Sequence, residues 1–197
     1  GYIPNAMAKG LVSNSTKTIG MVIPDIMNPF FPEVAKGVED YCSTMGFKMF
    51  LCNSDMKLDK EQNYIDQLFS YRSDGIIILP VSNSIDHIVK RYPDLKRVVF
   101  LSYRPDESLK HYNYVGADDF AVTETAAQYL VRIGHKRIAF FGGPATRSIL
   151  NMRYSGYRKA MDDNGLTICP YNVNLDEPDP DEPLKESSLS TIVQQML

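Results

Sequence analysis

Short apolar runs alternate along this chain with stretches in which apolar residues recur every three or four positions, and the rhythm continues with little interruption from about residue 18 to residue 164. Ile19–Ile23 is a β-branched-rich run that reads as a buried strand, and Pro24 cannot continue a central ladder. Asn28-Pro29 then presets a helix over 31–45, with Val34, Val38, Tyr41 and Cys42 on its apolar side and Gly46 closing it. Lys48–Cys52 reads as the next strand. A helix over 59–72 follows, with Tyr64, Ile65, Leu68 and Phe69 facing in. Ile76–Leu79 is the most apolar run in the protein, and a run without alternation is what a parallel strand covered on both faces requires. The pattern then predicts a helix over 84–92, strands at 98–101 and 114–116, a helix over 120–133, a buried strand at 138–141 and a helix over 151–164. Alternating strand and helix define an α/β protein with Rossmann-like parallel sheets flanked by helices.

Composition changes this picture mainly by exclusion. The length of 197 residues accommodates one large domain or two small lobes, and 44% hydrophobic residues is ordinary for a globular chain. A net charge of −3 lacks the clustered positive surface with which proteins grip nucleic acid by charge alone. Cys42, Cys52 and Cys169 are odd in number and lack metal-ligand spacing, so they read as reduced thiols, with no metal and no cofactor expected. No apolar run approaches the roughly 20 residues that span a bilayer, and no secretory signal pattern opens the chain, so a cytoplasmic setting is expected. No dinucleotide fingerprint, phosphate loop or activated nucleophile is visible, so an enzyme is not expected. Asp176–Pro183 is acidic and proline-rich and reads as a solvated loop.

The candidate chemistry begins where the first strand ends. Loops at the carboxyl ends of parallel strands gather helix N-termini and unpaired backbone groups, and ligands bind there in open α/β sheets. Asn28, Phe30 and Phe31 would bring an amide and flat apolar surface to that edge, although the two rings could equally staple the following helix to the sheet.

Several ordered motifs carry a specific resemblance: Pro4-Asn5-Ala6 with Ala8-Lys9-x-Leu11, Thr18-Ile19-Gly20, Pro24-Asp25-Ile26-x-Asn28-Pro29-Phe30-Phe31, Asp74-Gly75-Ile76-Ile77, Gly134-His135-x-x-Ile138-Ala139 and Arg153-x-x-Gly156-Tyr157. Over roughly residues 2–166 the chain resembles the effector-binding core of LacI/GalR-family transcriptional regulators, whose fold is that of the type I periplasmic binding proteins. The resemblance implies a hinge-helix-like segment and linker at 1–16, an N-terminal lobe at 17–135 and a partial C-terminal lobe at 136–197, the first lobe complete and the second apparently truncated. It further implies a small sugar-like or purine-like effector held between two lobes, a homodimer, and operator DNA reached through a headpiece that this sequence lacks. Ala8, Lys9 and Leu11 match the hinge, Leu11 being the minor-groove wedge. Ligand contacts carry over to Asn28, Phe30, Phe31, Ser82, Tyr103, Arg104, Asp118, Arg147 and Arg153, with Arg153 foremost because a guanidinium can hold two ligand oxygens at once. Asp118 could also cap the helix that follows it. A solute-binding protein for sugar uptake shares the fold and is the alternative; the hinge-like segment argues against it.

Overall fold

The computed structural model describes residues 15–82, 84–92, 95–103, 112–142, 148–168 and 173–174. The chain divides into two units, Gly1–Gly116 and Ala117–Leu197. In the first unit, β1 (Thr18–Ile23), α1 (Phe30–Thr44), β2 (Lys48–Asn53), α2 (Leu58–Ser70), β3 (Gly75–Ile78), α3 (Asp86–Arg91), β4 (Val98–Leu101) and β5 (Asn113–Val115) follow in order. The strands form one parallel sheet in the order β2-β1-β3-β4-β5. Consecutive strands therefore step in one direction from β1 to β2 and in the other from β3 onward. Such a reversal opens a crevice at the carboxyl ends of the two central strands.

The pleat sends alternate residues to opposite faces, and both faces are covered. Val22, Ile76, Ile78, Val98 and Phe100 pack against Ile65 and Leu68 of α2 and Ile85 and Ile88 at α3. Met21 and Ile23 pack on the other face against Phe31 and Ala35 of α1, with Ile77 and Leu79 beside them. Each such side chain removed wholly from water contributes about 1.5–3 kcal/mol, which is why the uninterrupted apolar runs become the central strands. Helix α1 departs from the expected stripe. Phe31, Ala35 and Cys42 are buried at spacings of four and seven, whereas Tyr41 is 69% exposed, because it stands about 100° around the helix from Cys42 and so falls off that stripe.

The second unit holds α4 (Asp119–Arg132), β6 (Phe141–Gly142), α5 (Ser148–Asp163) and β7 (Val173–Asn174), the two strands paired in parallel. Helices α4 and α5 pack closely, and Ala127, Ile138, Tyr157, Ala160 and Met161 form their core. A Cβ at Gly156 would stand 2.3 Å from the Phe120 carbonyl oxygen, so the Gly156-Tyr157 motif marks a position where one helix backbone touches the other.

The compact units divide after Gly116, since α4 spends its apolar face on α5 and so packs with the second unit. One expectation is corrected here. The strand expected at 138–141 is only Phe141–Gly142 among the described residues. Ile138 is apolar for the core, and its carbonyl accepts the buried Tyr157 hydroxyl at 2.8 Å instead of a ladder amide.

Candidate ligand edge of the first sheet

The loop from β1 to α1 is built by local hydrogen bonds that the sequence encodes almost residue by residue. Asp25 Oδ1 accepts from the Met27 amide at 2.8 Å, and Asn28 Oδ1 accepts from the Phe30 amide at 3.1 Å, two Asx turns in succession. Pro29, with φ of −60°, precedes the first residue of the helix, and the Phe31 amide bonds the Asn28 carbonyl at 3.1 Å. The loop is also tied from β2. Asn53 Oδ1 accepts the Ile26 amide at 3.0 Å, and the Met56 amide reaches the Pro24 carbonyl at 2.8 Å. Asp55 and Met56 have φ of +52° and +58° and make the sharp turn that permits this.

Phe30 and Phe31 divide their work. Their rings meet edge to face with centroids 5.3 Å apart, but Phe30 is 48% exposed while Phe31 is buried with Met21, Ile23 and Ala35. The Phe31 ring holds α1 to the sheet, and Phe30, with exposed Ile26 and Met27 nearby in the loop, offers the more accessible apolar surface.

Ser82 follows β3 at the same edge, half-buried, its Oγ accepting from the Ser84 amide at 3.2 Å. Tyr103 follows β4 and packs against Phe100, with centroids 6.2 Å apart. The residue before it, Ser102, has φ of +50°, an uncommon conformation for a residue other than glycine, and its amide bonds the Val115 carbonyl at 2.8 Å. Asn28, Phe30, Ser82 and Tyr103 thus stand on three successive loops at the carboxyl edge of one sheet. Arg104 and Arg147, like the hinge positions Ala8, Lys9 and Leu11, lie outside the described residues.

In the second unit, Asp118 caps α4, its Oδ1 accepting from the Ala121 amide at 3.0 Å. Arg153 of α5 bonds Asp119 Oδ1 through its inner nitrogen, Nε, at 2.6 Å, with half of the Arg153 side chain exposed. Both residues therefore have structural partners within their own unit. His135 donates its backbone amide to the Leu130 carbonyl at 3.1 Å.

Sequence reasoning missed Asn53, which braces the β1 loop, and Glu61. Glu61 is wholly buried, its Oε2 accepting the Val81 amide at 2.7 Å and its Oε1 2.9 Å from His87 Nε2. A signal was available: Glu61 stands four residues before Ile65 on the apolar stripe of α2, where a carboxylate requires buried partners. The free thiols of Cys42 and Cys52 are pushed up in pKa by burial, with Glu39 adding to the effect at Cys42, and neither has the environment of a nucleophile. No group of residues fit to hold a metal ion occurs among the described residues, and none of their helices is long and apolar enough to cross a membrane. A cavity of about 600 Å³ exists in the first unit, lined by Ile19, Val38, Tyr41, Phe47, Gly75 and Arg97 among others. It opens by the amino ends of β1 and β3, so it is distinct from the ligand edge.

A five-stranded parallel sheet with this strand order and with polar and aromatic loops at its carboxyl edge defines a ligand-binding α/β domain of the periplasmic-binding-protein type. Residues 16–191 match the family of periplasmic binding proteins and sugar-binding domains of the LacI family, and the chain belongs to that family. It is 33% identical to the transcriptional repressor PurR of Pasteurella multocida over 171 residues, 86% of this chain and 50% of that protein. Catabolite control protein A of Priestia megaterium is 34% identical over 169 residues, 85% of this chain and 50% of that protein. Among solved structures, a periplasmic binding protein/LacI transcriptional regulator of Alkaliphilus metalliredigens, complexed with D-xylulofuranose, superposes with a TM-score of 0.68 at 28% identity, covering 90% of this chain and 64% of that one. The chain spans about half the length of the curated relatives it matches. Those relatives are transcriptional regulators and not enzymes.

Proposed function

We propose that this chain is the ligand-sensing core of a cytoplasmic, DNA-binding transcriptional regulator, and that its effector is a small carbohydrate recognised at the carboxyl edge of the first sheet. The observation that carries the reading is the convergence of Asn28, Phe30, Ser82 and Tyr103 on three loops at that edge. Phe30 supplies an apolar face for a sugar ring, and the amide and hydroxyl groups match its hydroxyls in a way that a purely apolar ligand would not use. Arg153, on the second unit, is an effector contact in this reading: Asp119 bonds the guanidinium through Nε, and the two terminal nitrogens are a fork suited to a pair of ligand oxygens. Effector binding changes how the hinge segment meets operator DNA in a homodimer of the full-length protein. The relatives favour this reading over a solute-binding protein for sugar uptake, because they are repressors and control proteins.

The test is a thermal-shift screen of the full-length protein with pentoses, hexoses, sugar phosphates and purines, since a ligand that binds only the native state raises stability by about 2.7 kcal/mol at a hundredfold excess over Kd. A rise with a sugar that is lost in Arg153→Ala and not restored in Arg153→Lys supports the reading. A rise with purines alone replaces the carbohydrate by a purine, and no rise with any of them refutes it.

A further inference from the structure

Glu61 is the only wholly buried carboxylate among the described residues, and it lies beneath the turn that carries Ser82. Two residues before the turn's buried contact, the Leu79 amide still bonds the Val22 carbonyl at 3.0 Å, the last rung that ties β3 to β1. The chain then leaves the sheet at Pro80, and the next free amide, that of Val81, donates to Glu61 Oε2 at 2.7 Å. The other oxygen, Oε1, lies 2.9 Å from His87 Nε2, and the His87 side chain is 17% exposed. Beyond Val81, Ser82 Oγ accepts the Ser84 amide at 3.2 Å and Ser84 Oγ the Asp86 amide at 3.1 Å, which leads into α3. One carboxylate on α2 therefore holds both ends of the β3–α3 turn.

We propose that Glu61 is a positioning residue: bridging Val81 to His87, it fixes the turn so that Ser82 and the backbone around it stand at the ligand edge in one arrangement. The assignment takes its purpose from the effector reading but its geometry is independent of any ligand. A carboxylate buried on an apolar helix stripe is costly unless both oxygens are bonded, so the pair keeps its place only with the turn closed. A glutamine can serve the same two partners, its carbonyl accepting from Val81 and its amide donating to an imidazole nitrogen. Methionine matches the volume and serves neither.

Amide hydrogen exchange of the ligand-free full-length protein, read by NMR at Val81 and at Leu79, tests this. Glu61→Met is expected to speed exchange at Val81 at least about tenfold more than at Leu79, whose bond lies in the sheet, and Glu61→Gln is expected to restore protection. Equal acceleration at both amides, or no rescue by glutamine, overturns the proposal. Should Glu61→Met not fold, the wild-type protein decides: a scalar coupling across the hydrogen bond from the Val81 nitrogen to the Glu61 carboxyl carbon is expected, and its absence refutes the contact. Because no ligand enters the measurement, its result stands apart from the fate of the effector screen.

Discussion

Replacing Asp74 should loosen the linker that enters the first sheet, and the effect can be worked from the contacts. The Asp74 carboxylate receives three consecutive residues of the linker: Ser15 Oγ at 2.6 Å and the Lys17 amide at 2.9 Å on Oδ2, and the Thr16 amide at 3.0 Å on Oδ1. Thr16 Oγ1 also donates to the Arg72 carbonyl at 2.9 Å, and Lys17 sits over the Phe47 ring at 4.4 Å. Hydrogen bonds to a charged group contribute about 1.5–3 kcal/mol each when shielded, but Asp74 is part-exposed and the bonds share one carboxylate, so about 2 kcal/mol in total is expected for Asp74→Ala. For a chain of 197 residues that is roughly 4–8 °C in melting temperature. Asp74→Asn should lose nearly as much. One oxygen still accepts, while the new NH2 group faces a backbone amide that can only donate.

The same contacts set a pH dependence. Burial pushes the Asp74 carboxyl up, but the bonds from Ser15, Thr16 and Lys17, together with the charge of Arg97, outweigh it and hold the group below the usual carboxylate range. A folded-state pKa that is lowered contributes stability above the unfolded value near ~3.9, and that contribution is lost as pH falls through the folded value. Urea unfolding of wild type and Asp74→Asn from pH 7 to pH 3 should therefore show a gap that narrows at the acid end. A gap below about 0.5 kcal/mol at pH 7, or one that stays constant down to pH 3, would refute the account of the clamp.

Other substitutions separate core from site. Phe31→Ala should cost about 3 kcal/mol in urea unfolding, whereas Phe30→Ala should cost under about 1 kcal/mol and yet abolish any sugar-dependent rise in melting temperature; equal costs would contradict the division of the two rings. Gly156→Ala sets a methyl against the Phe120 carbonyl and should destabilise the second unit by about 2–3 kcal/mol, with α4 and α5 forced apart in a crystal structure; an unchanged helix spacing would count against the contact. Tyr157→Phe removes the bond to the Ile138 carbonyl and should cost about 1–2 kcal/mol, since that carbonyl is left without its buried donor; a change below about 0.5 kcal/mol would show that water or another group replaces it.

The apolar periods of the chain determined the order of strands and helices, and Pro and Gly positions marked several of their ends, because buried strands and one-sided helices each impose a period that survives in any tertiary setting. Asn28-Pro29 announced both the loop and the helix start for the same local reason: an Asx turn and a fixed φ need only neighbouring residues. What the sequence left open was which of two adjacent rings faces the core, since Phe30 and Phe31 differ only in the azimuth at which α1 lies on the sheet. Its period also placed Tyr41 inward, and the packed helix leaves that residue exposed. The assignment of α4 to the second unit came from a backbone contact at Gly156 made possible by a missing side chain on a distant helix. Arg153 stood out in its motif as a candidate contact, but its tie to Asp119, like the Glu61 bridge to Val81 and His87, joins residues remote in sequence. Local patterns report which surface a residue must bury; the partner it meets there is fixed only when separate elements pack, because hydrogen-bond distance depends on the position of both.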